Sequence, residues 1–211
     1  MIKASVIGWP INHSRSPLIH GYWLKQHNIV GSYEKHAVAP DKLKAFIETL
    51  RDGVHVGTNV TIPHKETALA WVDEADERAR RIGALNTIWR ENGKLHATST
   101  DGQGFMANVL QILPAFDVTV GAVTILGAGG STRSLTDELL RRGVSRINIW
   151  NRTASRAQEL AQHFGTMVHA ISSPELPQHL AHTNLLINTT AAGMNGDEAL
   201  YVPWENLHSK A

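Results

Sequence analysis

A glycine-rich turn over residues 127–130 is the part of this sequence whose residue types most clearly predict a chemical role. Four apolar or β-branched residues, Val123–Leu126, lead into the turn, and a helix is predicted to follow over Ser134–Arg142. Strand, glycine turn and helix in this order are typical of a unit that binds the pyrophosphate of a dinucleotide, because the first N–H groups of the helix point at the phosphates. A plain structural loop would show the same glycines, so this interpretation depends on the segments that follow.

Each residue of the turn has an expected task. Gly127 allows the tight turn and Gly129 lets the backbone approach a phosphate, whereas Thr132 stands at the third glycine position of the fingerprint. We therefore predict cofactor contacts in this loop from Gly127, Ala128, Gly129, Gly130 and Ser131.

The residues after the next strand indicate which dinucleotide would be bound. A strand is predicted over Arg146–Trp150, and its end lies about 20 residues beyond the glycine turn, where a doubly wound fold places the adenosine ribose. NAD selectivity calls for an acidic residue there, but the chain has Asn151, Arg152 and Thr153, with Arg156 nearby. Because an arginine can pair with a ribose 2′-phosphate, this segment favours NADP. The alternative is a solvated helix cap with Thr153 as N-cap.

Polar side chains also follow the predicted strands of the first half. Ser14 and Ser16 are two residues apart in the loop after a short strand, so their hydroxyl groups could converge on one polar ligand. The alternative is that both serines are caps or turn residues.

A third predicted strand, Val54–Val60, ends in a segment that carries Asn59, Thr61 and Lys65. Open α/β sheets bind ligands at the carboxyl ends of their strands, so these side chains are candidates for ligand contacts. Pro63 is predicted to start a helix that has Lys65 in its first turn, where the helix dipole disfavours a cation. This placement favours a functional role for Lys65 over that of an ordinary surface charge.

Two further segments deliver polar residues to strand ends. A hairpin is predicted around the turn Glu91-Asn-Gly93; Asn86 lies in its first arm, and Asp101 follows its second arm at the start of a helix, where it is also a natural N-cap. In the second half, the strand Asn184–Asn188 ends in a polar loop expected to face the nicotinamide side of a cofactor, with contacts from Thr189, Thr190 and Met194.

The alternation of strands and helices on both sides of Pro114 predicts an α/β protein with two domains. Residues 1–101 are expected to form a three-layer α/β domain, residues 102–119 a connecting helix and linker, and residues 120–211 a Rossmann-like dinucleotide-binding domain.

Composition excludes several classes of function. Twenty basic residues nearly balance nineteen acidic ones, and no basic run stands out, so neither nucleic acid nor a membrane is an expected partner. The chain has no cysteine, no apolar run long enough for a membrane span and no signal-peptide pattern, which is consistent with a cytoplasmic protein. Its twelve histidines show no metal-binding spacing and are predicted to be scattered over the surface, without a metal site.

Taken together, these segments resemble the shikimate dehydrogenase family from Val6 to about Trp204. The resemblance rests on motifs that occur in the family's order, namely Gly8-Trp-Pro-Ile-Asn-His-Ser-Arg-Ser-Pro17, Gly57-Thr-Asn-Val-Thr-Ile-Pro-His-Lys65, Gly83-Ala-Leu-Asn-Thr87, Thr100-Asp101-Gly102, Gly127-Ala-Gly-Gly130, Asn151-Arg-Thr153 and Asn188-Thr-Thr190 with Gly193-Met194.

The resemblance implies a reaction and a set of residues. The family reduces 3-dehydroshikimate to shikimate with NADPH in aromatic amino-acid biosynthesis, and its pattern implies a catalytic pair, Lys65 and Asp101. A ketone that accepts hydride builds negative charge on its oxygen, which a nearby ammonium can stabilise and protonate. The implied substrate contacts are Ser14, Ser16, Asn59, Thr61, Lys65, Asn86 and Asp101.

The chain also departs from the family pattern. Ser131 and Thr132 replace the usual alanines, which predicts a looser contact between strand and helix near the phosphates. Family members continue beyond the position of Ala211 with another strand and a helix that carries a substrate-binding glutamine, so the resemblance implies a C-terminally truncated chain. Two alternatives remain open: a shikimate- and NADP-binding homologue with little or no turnover, and a quinate or shikimate dehydrogenase that uses NAD. A monomer or a homodimer is expected.

Overall fold

The computed structural model describes residues 1–196, 198–209 and 211. The chain divides into two compact units, Met1–Thr100 and Asp101–Ala211. Both units are built from strands and helices, as expected for an α/β protein.

The first unit contains a mixed sheet. Its elements are β1 (Ile2–Gly8), α1 (Ser16–Gln26), β2 (Gly31–Ala37), α2 (Leu43–Arg51), β3 (Gly57–Val60), β4 (Glu74–Ala75), α3 (Glu77–Ile82), β5 (Thr87–Glu91) and β6 (Lys94–Thr98), with short 3₁₀ helices over Pro40–Lys42 and Thr67–Trp71. The strand order is β2-β1-β3-β5-β6-β4. Strand β1 is parallel to β2 and β3, whereas β5 is antiparallel to β3 and β6.

Helices cover both faces of this sheet, which gives three layers. Helix α2 is amphipathic, because Leu43, Ile47 and Leu50 lie on one side of it and are buried. They pack in one core cluster with Ile7 of β1. On the opposite face, His20 of α1 stacks on Tyr33 of β2, with ring centroids 4.0 Å apart. The carboxyl ends of β1 and β3 therefore lie side by side between two helical layers.

The second unit is a doubly wound parallel sheet. Its elements are α4 (Asp101–Ile112), β7 (Ala122–Leu126), α5 (Gly130–Arg141), β8 (Ile147–Trp150), α6 (Ala154–Phe164), β9 (Val168–Ile171), α7 (Leu176–Leu180) and β10 (Thr183–Asn188), with 3₁₀ helices over Ser173–Glu175, Met194–Gly196 and Trp204–Asn206. The strand order is β10-β7-β8-β9, and every neighbouring pair is parallel.

This order places a topological switch point between β7 and β10, because the chain winds outward from β7 in both directions. Every residue of β7 is buried, as expected for the central strand of a parallel sheet. Ile125 of β7 and Leu139 of α5 pack in the same core cluster as Ile149 of β8. Ligands of such sheets bind outside the carboxyl ends of the strands at the switch point, which here is the edge formed by Leu126 and Asn188.

The structure corrects several details of the sequence interpretation. No helix begins at Pro63: residues 65–66 form a turn before the 3₁₀ helix Thr67–Trp71, so the helix-dipole argument for Lys65 is wrong. The Lys65 carbonyl instead accepts a hydrogen bond from the backbone N–H of Leu85, at 2.8 Å. Helix α5 begins at Gly130 rather than Ser134, because the Arg133 N–H already donates to the Gly129 carbonyl.

Two of the histidines lie inside the first unit. His55 and His64 are buried, so the expectation of surface histidines is wrong for both.

Helix α4 belongs to the second unit and packs closely on α5, since a Cβ at Gly102 would lie only 2.3 Å from the Ser134 carbonyl oxygen. Among the described residues, no helix is long and apolar enough to cross a membrane.

Candidate active site

A polar hydrogen-bond network lies at the carboxyl end of β3 in the first unit. Asn59 is the third residue of β3, and Ser16 is the first residue of α1, which follows the parallel neighbour β1. The hydroxyl group of Tyr33, on β2, donates a hydrogen bond of 2.6 Å to Asn59 Oδ1. Ser16 forms a hydrogen bond with the same phenol. Tyr33 therefore connects two of the predicted substrate residues.

Tyr33 is a residue that the sequence analysis missed. Burial raises its pKa to about 12, and the hydrogen bond from Ser16 opposes that rise. The phenol consequently stays protonated in the ordinary pH range and remains a donor to Asn59. The contact between Tyr33 and Asn59 follows from the register of three strands. Ala4 of β1 pairs with Tyr33 of β2 on one side and with Gly57 of β3 on the other, which brings Tyr33 and Asn59 to the same face of the sheet.

The same network continues from Asn59 to Asn86. Asn59 Nδ2 donates to Thr87 Oγ1 at 3.0 Å and to the Asn86 carbonyl at 3.3 Å. Thr87 Oγ1 donates to Asn86 Oδ1, and Asn86 Nδ2 donates to Thr100 Oγ1, each at 3.0 Å. Both Nδ2 protons of Asn59 are thereby used inside the protein, and what the Asn59 amide can offer a ligand is its carbonyl oxygen as an acceptor.

Three other predicted substrate residues, Ser14, Thr61 and Lys65, lie in the segments that follow β1 and β3. Ser14 Oγ accepts a hydrogen bond of 3.4 Å from the Ser16 N–H. Thr61 follows β3 directly, and Lys65 lies in the turn after it. The hydrogen bond from the Leu85 N–H to the Lys65 carbonyl holds this turn beside the segment that leads into β5. Asp101 begins α4 and belongs to the second unit.

Gly8 allows β1 to end close to Thr61. A Cβ at Gly8 would lie 2.6 Å from Thr61 Cγ2 and 2.9 Å from the Ile62 carbonyl oxygen, shorter than real Cβ contacts allow. A larger residue would push apart the ends of β1 and β3, which carry the serine loop and the lysine turn.

In the second unit, the glycine turn lies at the switch point of the sheet. Gly127 follows β7 with a φ of +114°, a conformation that disfavours residues with a side chain. A Cβ there would also meet Thr189 Oγ1 at 2.4 Å. Gly127 is therefore required both by its backbone conformation and by the close approach of the segment after β10.

A directed chain of hydrogen bonds joins this turn to β10. Thr189 Oγ1 donates to the Leu126 carbonyl at 2.8 Å, which uses its single proton. Thr132 Oγ1, 2.8 Å from Thr189 Oγ1, must therefore be the donor in that contact. In turn, Thr132 Oγ1 accepts from the Gly129 N–H at 3.3 Å.

Thr132 is fully buried, so the expectation that Ser131 and Thr132 would loosen the contact between strand and helix is wrong for Thr132. Its hydroxyl group instead links the glycine turn, the first turn of α5 and the end of β10. Thr132, at the third glycine position of the fingerprint, can both donate and accept a hydrogen bond. It thereby gives the glycine turn a defined shape.

We expect Thr132→Val to lower the free energy of unfolding by about 1–3 kcal/mol, because it leaves the Gly129 N–H and the Thr189 hydroxyl oxygen without their buried partner. Thr132→Ser should lose less, since it keeps the hydroxyl group. Denaturant titration of the whole chain measures both values.

Thr136→Val is the matched control for this prediction. Thr136 is also fully buried on α5, and its hydroxyl has no hydrogen-bond partner among the described residues. Replacing that hydroxyl with a methyl group should be neutral or stabilising. Equal losses of stability for Thr132→Val and Thr136→Val would contradict the role assigned to Thr132.

The loop fits a dinucleotide by its shape. A Cβ at Gly129 would meet no atom within 4 Å, so there is open space in front of the turn. The next residue starts α5, a helix of 12 residues whose first N–H groups have no carbonyl partner within the helix. Open space beside a glycine and a helix N-terminus is what a pyrophosphate requires.

The segments after β8 and β10 lie on either side of this turn in the sheet order. Asn151, Arg152 and Thr153 follow β8, and Asn151 Nδ2 donates to the Thr153 carbonyl at 2.9 Å. Thr153 occupies the N-cap position of α6, but in the described structure its side chain makes no capping hydrogen bond. On the other side, Thr190 donates through its N–H and its hydroxyl to Asn188 Oδ1, and Met194 begins a 3₁₀ helix.

Comparison with known proteins assigns the two units to related families. Residues 6–88 match the family described as the shikimate dehydrogenase substrate binding domain, and residues 109–195 match shikimate / quinate 5-dehydrogenase. The shikimate dehydrogenase (NADP(+)) of Rhizobium meliloti strain 1021 is 47% identical over 206 residues, which cover 97% of this chain and 72% of that protein. This chain belongs to the shikimate dehydrogenase family.

Other relatives agree with this family assignment. The shikimate dehydrogenase (NADP(+)) of Brucella abortus strain S19 is 50% identical over 194 residues, covering 92% of this chain and 67% of that protein. The crystal structure of the shikimate 5-dehydrogenase of Thermus thermophilus, in complex with NADP(H) and shikimate, superposes with a TM-score of 0.84 at 33% identity and covers 99% of this chain and 76% of that one. The fold predicted for both halves is confirmed by this similarity.

Proposed function

We propose that this chain catalyses the reversible reduction of 3-dehydroshikimate to shikimate with NADPH, as in the shikimate pathway of aromatic amino-acid biosynthesis. The observation that carries the proposal is the polar network of Ser16, Tyr33, Asn59 and Asn86 at the carboxyl end of β3. It occurs in a chain whose relatives are named shikimate dehydrogenase (NADP(+)).

The network is suited to a small polyhydroxylated acid. Serine hydroxyl groups provide donors and acceptors for substrate hydroxyls, and the side-chain oxygen of Asn59 provides an acceptor. The internal hydrogen bonds hold these groups in place before binding, which reduces the entropy lost on binding. We assign substrate contacts to Ser14, Ser16, Asn59, Thr61, Lys65, Asn86 and Asp101.

NADPH, when bound, supplies the hydride for this reaction. In the second unit, the glycine turn and the start of α5 would hold the pyrophosphate, with Gly127, Ala128, Gly129, Gly130 and Ser131 as contacts. We assign the adenosine end of the cofactor to Asn151, Arg152, Thr153 and Arg156, and its nicotinamide end to Thr189, Thr190 and Met194.

Lys65 and Asp101 are the proposed catalytic residues. The Lys65 ammonium would stabilise the negative charge that develops on the substrate oxygen and donate the proton that this oxygen acquires. The Asp101 carboxylate would orient the ammonium.

A direct assay tests this proposal. The purified chain is mixed with shikimate and NADP, and the absorbance of NADPH is followed; quinate and NAD are the alternative substrate and cofactor. We expect NADPH to form with shikimate and NADP, and only slow turnover with quinate or NAD. Binding of both ligands without any NADPH would favour a binding protein without turnover, and faster turnover with quinate and NAD would favour the quinate alternative.

The oligomeric state and the cytoplasmic location stay predictions. A monomer or homodimer is expected, and size-exclusion chromatography with light scattering would distinguish the two.

A further inference from the structure

Glu34, His36 and His55, called here the histidine cluster, bring three possible metal ligands together in the first unit. One ligand atom of each side chain lies within 4.8 Å of those of the other two. His36 Nε2 is 3.4 Å from His55 Nε2 and 3.7 Å from Glu34 Oε2. The proposed function uses none of these side chains.

We propose that the histidine cluster binds a divalent transition-metal ion, with Zn²⁺ as the ion to test. Nitrogen ligands at 2.0–2.1 Å from a tetrahedral Zn²⁺ are about 3.3–3.4 Å from each other. The two imidazole nitrogens already have this separation, so the ion could be bound with little rearrangement. Imidazole and carboxylate groups together suit zinc and its neighbours in the first transition row.

The sheet fixes the positions of the three ligands. Glu34 and His36 are two residues apart on β2, so their side chains lie on the same face. Tyr33, which contacts Asn59, is on the other face, and the cluster is thus separated from the polar network by the sheet. His55 precedes β3, and its neighbour Val56 is held to β1 by a hydrogen bond of 2.8 Å from its N–H to the Lys3 carbonyl.

Neighbouring side chains orient the ligands. Ser32 Oγ donates to Glu34 Oε1 at 3.1 Å, and Glu34 Oε2 is the oxygen that faces His36. The ring of Phe46 packs near both imidazoles, with centroid distances of 5.5 Å to His36 and 6.3 Å to His55. Such outer contacts restrict the rotation of ligands and strengthen metal binding.

His55 is the ligand with the most constrained surroundings. Its side chain is 7% exposed, and among the described residues its Nδ1 has no hydrogen-bond partner. The polar contact of the ring is therefore made through Nε2, toward the cluster.

The test is isothermal titration of the whole chain with ZnCl₂, after the protein has been freed of metal with a chelator. We expect one ion per chain at the cluster. His36→Gln and His55→Gln should each weaken this binding by more than the roughly 10–100-fold typical of losing an outer-shell partner. His27→Gln is the matched control, because His27 is an exposed histidine of the same unit and should leave the affinity unchanged.

Charge variants provide a second measurement. Glu34→Gln should weaken Zn²⁺ binding, and Lys3→Ala should strengthen it, because Lys3 is the cation that acts on His55. Both positions are exposed, so these variants are expected to fold, and thermal melting without metal checks this. The proposal is overturned if Zn²⁺ does not bind, or if it binds with equal affinity to the wild type, His36→Gln and Glu34→Gln. None of these measurements depends on catalytic turnover. Failure of the metal-binding proposal can therefore be distinguished from failure of the proposed function.

Discussion

Lys65→Ala is expected to lower kcat for shikimate oxidation by about 10²–10⁴-fold, the usual range for loss of a proton-transfer group. The charge on the substrate oxygen develops mainly in the transition state, so KM for shikimate should change much less than kcat. Steady-state kinetics with NADP in excess measure both constants. Lys25→Ala, which removes an exposed lysine from α1, is the matched control and should leave kcat unchanged.

Asp101 allows the catalytic interpretation to be separated from a purely structural one. Asp101→Asn should also lower kcat, because the lysine would lose its counter-charge. If Asp101 only caps the helix that begins at this residue, Asp101→Ala should instead cost about 1 kcal/mol of stability and leave turnover intact. Unchanged turnover in Lys65→Ala would show that Lys65 is an ordinary surface charge.

The parts of the candidate site that were predictable from the sequence are those with a local signature. A glycine turn between an apolar run and a helix is a contiguous pattern, and the structure places it at the end of β7, before α5. The same holds for Asn59 and Thr61, which were expected at a strand end and are found at the end of β3. Hydrophobic periodicity and turn residues act over a few positions, so they can be interpreted without knowing the tertiary structure.

The parts that were not predictable depend on contacts between distant segments. The role of Tyr33 requires the register of three strands, and that of Thr132 requires its contact with Thr189, which is 57 residues away in sequence. The error at Lys65 has the same origin. A helix was inferred from Pro63, but the Lys65 carbonyl bonds to Leu85 on a neighbouring segment instead of to the next helical turn.

Arg152→Asp is expected to weaken NADP binding by about 2–3 kcal/mol, or roughly 30–150-fold in Kd, because it removes a charge-assisted partner of the 2′-phosphate and adds repulsion. NAD has no 2′-phosphate, so its affinity should barely change.

The local structure supports Arg152 as the residue to test. Arg152 is exposed directly after β8, in a segment where Asn151 bonds to the Thr153 carbonyl and Thr153 does not cap α6 with its side chain. Fluorescence titration with each cofactor measures the two dissociation constants. Arg141→Asp is the control, since it makes the same change of charge at an exposed site on α5 and should affect neither cofactor. Equal losses for NADP and NAD in Arg152→Asp would show that Arg152 does not contact the 2′-phosphate. A loss confined to NADP would make Arg152 a determinant of cofactor choice, in a segment after β8 that contains no acidic residue to bind the ribose of NAD.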